Sequence, residues 1–377
     1  MRKRTKQTRM PLGVVGLIVV FLVSFGILLR GATAQEKKVP SKDEKLKVGF
    51  VYVGPRDDYG YNYAHDQGRL CMEKKLGWVE TLHAENIPES ADVERVMEQM
   101  IRQGAKLIFP TSYGYLDPAI NVAKRHNDVI FMHAGGFKTA PNLGTYWAYI
   151  YNAMYLSGIA AGKLTKTNKL GFVAAHPIPQ VLGNINALTL GARSVNPKVE
   201  THVVFTGGWY NPGKEAEAAN SLVDLGVDVL TQHQDSPIAV VQTAEKRGVY
   251  AVGYHSKDLQ KFAPKGWLTG ASWNWCNLYA DLAKEVKDGK WKGGHRRGGL
   301  ETGYFELAPF GAAVPNDVRD MVMKKRKEIL DGKYVVFQGP VKDNKGTLRV
   351  KAGEKPTFER IEQMDWFVEG VVGTVPK

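Results

Sequence analysis

Cysteine is scarce in this chain of 377 residues, which contains only Cys71 and Cys276. Two cysteines cannot form the framework of a disulfide-rich domain, and neither lies in a C-x-x-C or metal-ligand spacing. One disulfide bond between them and two buried free thiols are both compatible with the sequence. The phosphate-binding motifs G-x-G-x-x-G and G-x-x-x-x-G-K-[ST] are missing as well, which disfavours nucleotide ligands.

Acidic residues are absent from residues 1–34, which hold six of the basic ones. The rest of the chain carries 45 Lys and Arg against 38 Asp and Glu, so about half of the formal net charge of +13 belongs to that first segment. The remaining excess is small and dispersed, which favours a solvated surface over a nucleic-acid-binding patch. An apolar content of 44% with 24% charged residues excludes a disordered or fibrous protein.

A long apolar run without charge occurs once, over 12–29, after the basic segment 2–9 and before Ala32-Thr33-Ala34. This order is typical of a secretory signal peptide, here 1–34. The run is also long enough for an uncleaved membrane anchor, which is the alternative. Because no cysteine lies near the cleavage site, we expect no lipid anchor and a protein that is secreted into the periplasm.

Strand and helix patterns alternate from residue 46 onward, and the alternation restarts near residue 165. The predicted strands are nearly continuous apolar runs, which are typical of parallel sheets covered on both faces. The sequence therefore predicts an α/β fold with two parallel sheets and right-handed crossovers. We expect lobe 1 to comprise 46–165 plus about 260–300, and lobe 2 to comprise 166–259 plus about 301–377. No Pro/Gly/Ser-rich linker separates them, so several crossovers should form a hinge beside a cleft.

Aromatic and neutral polar residues follow many of the predicted strands, where ligands bind in sheets of this kind. Such a lining suits a flat ring with polar edges, because aromatic faces stack on the ring while amides and carboxylates fix its edge. The candidate ligand-binding residues are Asp57, Tyr61, Asn62, Tyr113, Gly135, Trp209, Asp235 and Trp273. The aromatic residues could instead pack in the core, and Asp235 could cap the helix that follows it.

Evidence for catalysis or for a metal site is weak. Histidines follow four predicted strands, at positions 133, 176, 233 and 255, but they lack the H-x-x-H and H-E-x-x-H spacings of metal sites. A G-x-S-x-G nucleophile motif is missing, and paired carboxylates could come only from Asp57 or Asp58 with Asp235. We therefore expect neither an enzyme nor a cofactor.

Several segments carry a family resemblance: KVGFVYVGPRDDYGYNYAHDQGR (47–69), KLIFPTSYGYLDPAINVAKRHNDVIFMHAGG (106–136), GGWYNPGKEAEAANSLVDLGVDVLTQHQDSP (207–237), AVGYHSKD (251–258), FQGPVKDNKGTLRVKAGE (337–354) and MDWFVEGVVG (364–373). They resemble the basic membrane protein (BMP) family of substrate-binding proteins, the extracytoplasmic receptors of purine nucleoside ABC importers. The resemblance implies a type I periplasmic-binding-protein fold with two Rossmann-like lobes. It also implies a purine-like ligand and an ABC permease at the membrane as partner.

The resemblance also assigns site residues. In this family an aromatic residue of the first loop stacks on the base and an Asn follows it, and Tyr61 and Asn62 occupy these positions. Tyr113 matches the aromatic residue of the second loop, Trp209 the tryptophan of the second lobe, and Asp235 the carboxylate after a strand of that lobe.

Two segments depart from the family pattern. Nucleoside-binding members carry a lysine just past the strand that matches 268–272, where this chain has Ser272-Trp273-Asn274. They often have Asp-Lys-Ser-Phe-Asn in the first loop, where this chain has Asp58-Tyr59-Gly60-Tyr61-Asn62. Both differences point away from ribose and favour a free purine base or another flat heterocycle. The ligand class expected from the whole sequence is a purine base or nucleoside, or a similar flat heterocycle, bound by a monomer. A ligand-sensing module for a membrane receptor and a nucleoside-cleaving enzyme are the alternatives.

Overall fold

The computed structural model describes residues 45–376. The predicted signal peptide, 1–34, lies outside the described residues. The strands are β1 (Leu46–Val51), β2 (Val79–Ala84), β3 (Ala105–Pro110), β4 (Ile130–Ala134), β5 (Leu143–Ala148), β6 (Lys169–Ala174), β7 (Glu200–Phe205), β8 (Val229–His233), β9 (Tyr250–His255), β10 (Trp267–Trp273), β11 (His295–Gly298), β12 (Phe305–Leu307), β13 (Val341–Lys342), β14 (Leu348–Val350) and β15 (Val371–Val372). The helices are α1 (Tyr61–Leu76), α2 (Asp92–Arg102), α3 (Leu116–Arg125), α4 (Tyr151–Leu164), α5 (Pro179–Arg193), α6 (Pro212–Asp224), α7 (Ile238–Arg247), α8 (Cys276–Lys287), α9 (Asn316–Leu330) and α10 (Phe358–Ile361).

Two large sheets organise the chain. The first has the strand order β11-β5-β4-β3-β1-β2, and all of its pairs are parallel. The second has the order β12-β10-β9-β8-β6-β7-β15 and is parallel except where β12 runs against β10. Helices cover both faces, so the central strands are buried at almost every position. The predicted α/β fold with two parallel sheets is confirmed.

The chain passes between the two sheets three times: from β5 to α4, from β10 to α8, and from β11 to β12. Lobe 1 is the first sheet with α1, α2, α3 and α8, and lobe 2 is the second sheet with α4 to α7 and α9. Three crossing segments make the expected hinge. No helix within the described range is long and apolar enough to span a membrane.

The boundary between the lobes differs from the expected one at two elements. Strand β10 pairs with β9 in the second sheet, although about 260–300 was expected in lobe 1. Helix α4 packs on α5 and β10 of lobe 2, although 46–165 was expected in lobe 1. Residues 152–162 of α4 are buried on every side, so the helix has no polar face to indicate which sheet it covers.

Cys71 and Cys276 form a disulfide bond. The bond joins α1 to the first residue of α8, and both helices belong to lobe 1. Of the two states that the sequence allowed, a disulfide bond and two free thiols, the structure contains the disulfide bond.

Candidate functional site

A cavity between the lobes lies at the carboxyl ends of the strands of both sheets. In this arrangement of the lobes, about 30 Å³ of it is open to water-sized molecules. We call it the inner cavity, and its lining residues are Tyr61, Ser112, Tyr113, Ala134, Gly135, Trp147, Ile178, Gln180, Trp209, His233 and Asp235. Lobe 1 supplies the residues up to Trp147 and lobe 2 supplies the rest, so neither lobe forms the cavity alone.

Four aromatic side chains dominate the walls. Tyr61, Tyr113 and Trp147 come from lobe 1 and Trp209 from lobe 2. The Tyr61 hydroxyl donates to the backbone oxygen of Thr111, and this hydrogen bond fixes the ring at the carboxyl end of β3. Trp209 packs edge-on against His176, with ring centroids 5.0 Å apart. These contacts hold the rings in place before any ligand arrives, which lowers the entropic cost of stacking on them.

Asp235 is the buried acidic group of the inner cavity, with 3% of its surface exposed. Its backbone N–H donates to the backbone oxygen of Trp209 at 2.7 Å, so both residues are positioned together. One of its carboxyl oxygens, Oδ2, has no hydrogen-bond partner within the described structure. Burial, followed by the nearby carboxyl group of Asp58, raises the pKa of Asp235 well above its usual value of 3.8. A neutral carboxyl group has both an O–H donor and an acceptor to offer a ligand edge.

Asp57 and Asn62 lie outside the inner cavity. Asp57 is exposed, while its neighbour Asp58 is buried and accepts hydrogen bonds from the backbone N–H groups of Gly60, Asn62 and Tyr63 at 2.7–3.0 Å. Asn62 is fully buried, but its side chain donates to Asp58 at 2.8 Å and accepts from Gly54 at 3.3 Å. Both residues therefore shape the first loop and the start of α1 instead of lining the cavity.

Trp273 also lies one layer behind the cavity wall. Its ring contacts that of Trp147 at a centroid distance of 4.8 Å and stacks on Trp275 at 4.5 Å. Its indole N–H donates to Nδ1 of His255 at 3.0 Å. Trp273 thus supports Trp147, the aromatic residue that faces the cavity in its place.

Six lining residues are absent from the predicted site. His233 was considered only as a metal ligand, and the other five are Ser112, Ala134, Trp147, Ile178 and Gln180. Trp147 is the next-to-last residue of β5, so its position near a strand end could have revealed it. His233 pairs with Asn184 at 3.0 Å, and burial lowers its pKa to about 3, so the ring is neutral. Among residues 45–376, no group of three or more His, Cys, Asp or Glu side chains could hold a metal ion.

Direct contacts join the lobes around the inner cavity. The backbone N–H of Tyr61 donates to the backbone oxygen of Asp235 at 3.3 Å. The Gln180 side chain donates to the backbone oxygen of Gly135 at 3.2 Å. The Tyr63 hydroxyl donates to Asp258 at 2.7 Å on another side of the cleft. The lobes are thus held together on several sides of the inner cavity.

The family model of PnrA-like ABC transporter substrate-binding proteins, Bmp, matches residues 45–345. The chain belongs to this family. It is 42% identical to the purine-binding protein of Brucella abortus over 353 residues, 93% of this chain and 98% of that protein. It is 38% identical over 337 residues to a Haloferax volcanii protein named as an ABC transporter glucose-binding protein, which covers 89% of this chain and 83% of that one.

Among solved structures, a solute-binding protein of an ABC transporter system from Aeropyrum pernix K1 has a TM-score of 0.67 at 18% identity. The match covers 84% of this chain and 96% of that one. This likeness confirms the type I periplasmic-binding-protein fold, and the family match confirms the BMP resemblance. The Bmp chain is a substrate-binding protein of an ABC transporter, a class that works outside the cytoplasm with a small-molecule ligand and a transporter permease.

Proposed function

We propose that this Bmp protein binds a purine base or nucleoside, or a similar flat heterocycle, in the inner cavity and delivers it unchanged to an ABC importer. The observation that carries the proposal is the combination of aromatic walls from both lobes with a buried carboxyl oxygen of Asp235 that lacks a partner. The purine-binding protein of Brucella abortus, to which the chain is 42% identical, supports the ligand class.

Purine chemistry matches this lining. Each aromatic contact with a flat ring adds ~0.5–1.5 kcal/mol beyond simple burial. The edges of a purine carry N–H donors beside ring nitrogen acceptors. The Asp235 carboxyl group, whose pKa is raised by burial, accepts from such donors through an unprotonated oxygen and donates to a ring nitrogen when protonated. The backbone N–H of Asp235 donates to the backbone oxygen of Trp209, so stacking and edge recognition come from two neighbouring loops of lobe 2.

A sugar is the rival ligand, because one relative is named as a glucose-binding protein. A sugar presents hydroxyl groups around its whole rim and needs polar partners on many sides. Among the described residues that line the inner cavity, the buried polar atoms without a partner are Oδ2 of Asp235 and Oε1 of Gln180. So few unpaired polar atoms between aromatic walls favour a flat ligand with polar groups along its edge over a sugar.

The proposal also covers the location and the oligomeric state of the protein. We place it in the periplasm after removal of 1–34, as a monomer that holds its ligand until the permease opens the lobes. The acidic groups at the cleft support binding instead of catalysis, because Asp57 is exposed outside the cavity and Asp58 is occupied by three backbone N–H groups.

Isothermal titration calorimetry with purine bases, purine nucleosides and glucose tests this function. The Trp209→Ala variant should bind its purine roughly 5–150-fold more weakly, as expected for ~1–3 kcal/mol lost per stacked base. Tyr210→Ala is the matched control, because Tyr210 is the next aromatic residue but is 46% exposed and does not line the cavity. Binding of glucose without binding of any purine, or equal purine affinity in Trp209→Ala and wild type, would reject the proposal.

A further inference from the structure

Gln180 lies where three cavities meet. It lines the inner cavity, a second cavity that Trp147 also lines, and a larger one of about 450 Å³ that we call the outer cavity. The outer cavity is lined by residues that include Phe137, Arg297, Glu362 and Gln363. Gln180 is the second residue of α5, and its side chain forms part of the wall between the inner and outer cavities.

The wall is a contact between lobes. The Nε2 group of Gln180 in lobe 2 donates to the backbone oxygen of Gly135 in lobe 1 at 3.2 Å. Gly135 has a positive φ of 69°, and a Cβ atom there would lie 3.6 Å from Trp147 and 3.7 Å from Gln180. A residue with a side chain would be strained at this positive φ, so glycine suits the turn that directly follows β4.

The orientation of the Gln180 amide follows from this bond. The carbonyl oxygen of Gly135 requires a donor, so the NH₂ group faces Gly135 and Oε1 is directed elsewhere. Oε1 is buried and has no hydrogen-bond partner within the described structure. A buried acceptor without a partner is unfavourable, and a ligand N–H that reaches it removes that penalty.

The outer cavity has polar lining residues, among them Glu359 and Gln363, but its cationic group is already paired. Its strongest polar group is the Arg297 guanidinium, whose N–H groups already donate to Glu362, to Thr145 at 3.0 Å and to the backbone oxygen of Gly136 at 2.9 Å. A ribose placed there would have to compete with these partners. It would also have to separate Gln180 from Gly135 to remain attached to a base in the inner cavity.

We propose that Gln180 determines specificity, accepting an N–H from an unsubstituted heterocyclic base and closing the cavity against the N-glycosylated form. This inference rests on the proposed function and narrows it to free bases. Glycosylation removes a donor from the ring and adds bulk where the Gln180–Gly135 wall stands. A site that hydrogen-bonds a particular group of its ligand rejects analogues that lack this group far more strongly than a site that discriminates by size alone.

Calorimetry on the full mature chain tests the inference with two matched pairs, adenine against adenosine and hypoxanthine against inosine. The wild type should bind the bases at least ~100-fold more tightly than the nucleosides. Gln180→Ala should reduce this preference at least ~10-fold, since it removes both the acceptor and the wall. Gln180→Leu keeps most of the bulk, so it should weaken base binding while still excluding nucleosides. Gln363→Ala is the control, because Gln363 lines the outer cavity but not the inner one.

Thermal unfolding without ligand identifies any variant that fails to fold, and Gln180→Leu and Gln180→Ala then test the same residue independently. The inference is overturned if wild type binds a nucleoside within tenfold of its base, or if Gln180→Ala keeps the wild-type preference. Either of these results would leave purine binding itself intact. If neither bases nor nucleosides bind and glucose does, the proposed function fails together with the inference.

Discussion

Gly60 offers a test of whether the ligand depends on the closed arrangement of the lobes. A Cβ atom at this position would lie 2.0 Å from the backbone oxygen of Asp235 and 2.3 Å from Cδ of Pro237. Both atoms belong to lobe 2, whereas Gly60 precedes α1 in lobe 1. Carbon–oxygen contacts settle at about 3.3–3.6 Å, so Gly60→Ala requires the lobes to separate by more than ~1 Å at this point.

The expected cost follows from the kind of atoms that clash. A flexible side chain could move aside, but the Asp235 carbonyl is backbone and also accepts the N–H of Tyr61 at 3.3 Å. Overpacking of this kind costs about 1–3 kcal/mol. If only the closed form binds tightly, apparent ligand affinity should fall by roughly 5–150-fold, because the competent fraction of molecules falls by that factor.

The assay is calorimetry of Gly60→Ala against wild type, with small-angle scattering of the ligand-saturated proteins to compare their compactness. The variant should remain larger than wild type at saturation, while unfolding without ligand should change little, since open lobes do not clash. Gly213→Ala adds the same methyl group on lobe 2, where the nearest atom would be 3.6 Å away, and should behave as wild type. An affinity for Gly60→Ala within twofold of wild type would refute the argument that closure creates the site.

Three further changes test separate parts of the structure. Cys71→Ser should lower the free energy of unfolding by ~2–5 kcal/mol, because the lost bond joins residues 205 positions apart; equal urea midpoints for variant and oxidised wild type would contradict this. Asn211→Ala removes the side chain that accepts the N–H of Lys214 at the start of α6, so urea titration should show a loss of about 1 kcal/mol without a change in purine affinity. Burial raises the pKa of Glu215 from 4.5 to about 7, so its contribution to stability is present at low pH and lost as the pH rises through that range. Glu215→Gln should therefore gain ~1–3 kcal/mol relative to wild type between about pH 5 and about pH 8 in urea titrations, and parallel profiles would contradict this.

The sequence was informative about the fold because parallel strands leave a strong apolar pattern. The alternation of strand and helix patterns from residue 46, and its restart near residue 165, match the first strand of each large sheet in the chain, β1 and β6. The assignment of α4 to a lobe failed for a physical reason. A helix that is buried on all sides has no single apolar stripe to indicate which sheet it covers, so only its tertiary contacts assign it to a lobe.

The candidate site was predictable in its loops but not in every residue. Position at a strand end indicated Tyr61, Trp209 and Asp235, all of which line the inner cavity. Whether Asp57 or Asp58 is the buried aspartate depends on the backbone conformation of the first loop. The sequence of two adjacent aspartates does not reveal that conformation. Gln180 looks like any polar residue in the first turn of a helix, and only the opposite lobe makes it part of a wall.

The division of the inner cavity between the lobes has a consequence for release. When the lobes move apart, Tyr61, Tyr113 and Trp147 leave with one half while Trp209 and Asp235 leave with the other. Each half keeps only a partial grip, so the same solute that was firmly enclosed is only loosely held. Release therefore requires no chemical change of the solute, because separating the two lobes is enough to weaken its binding.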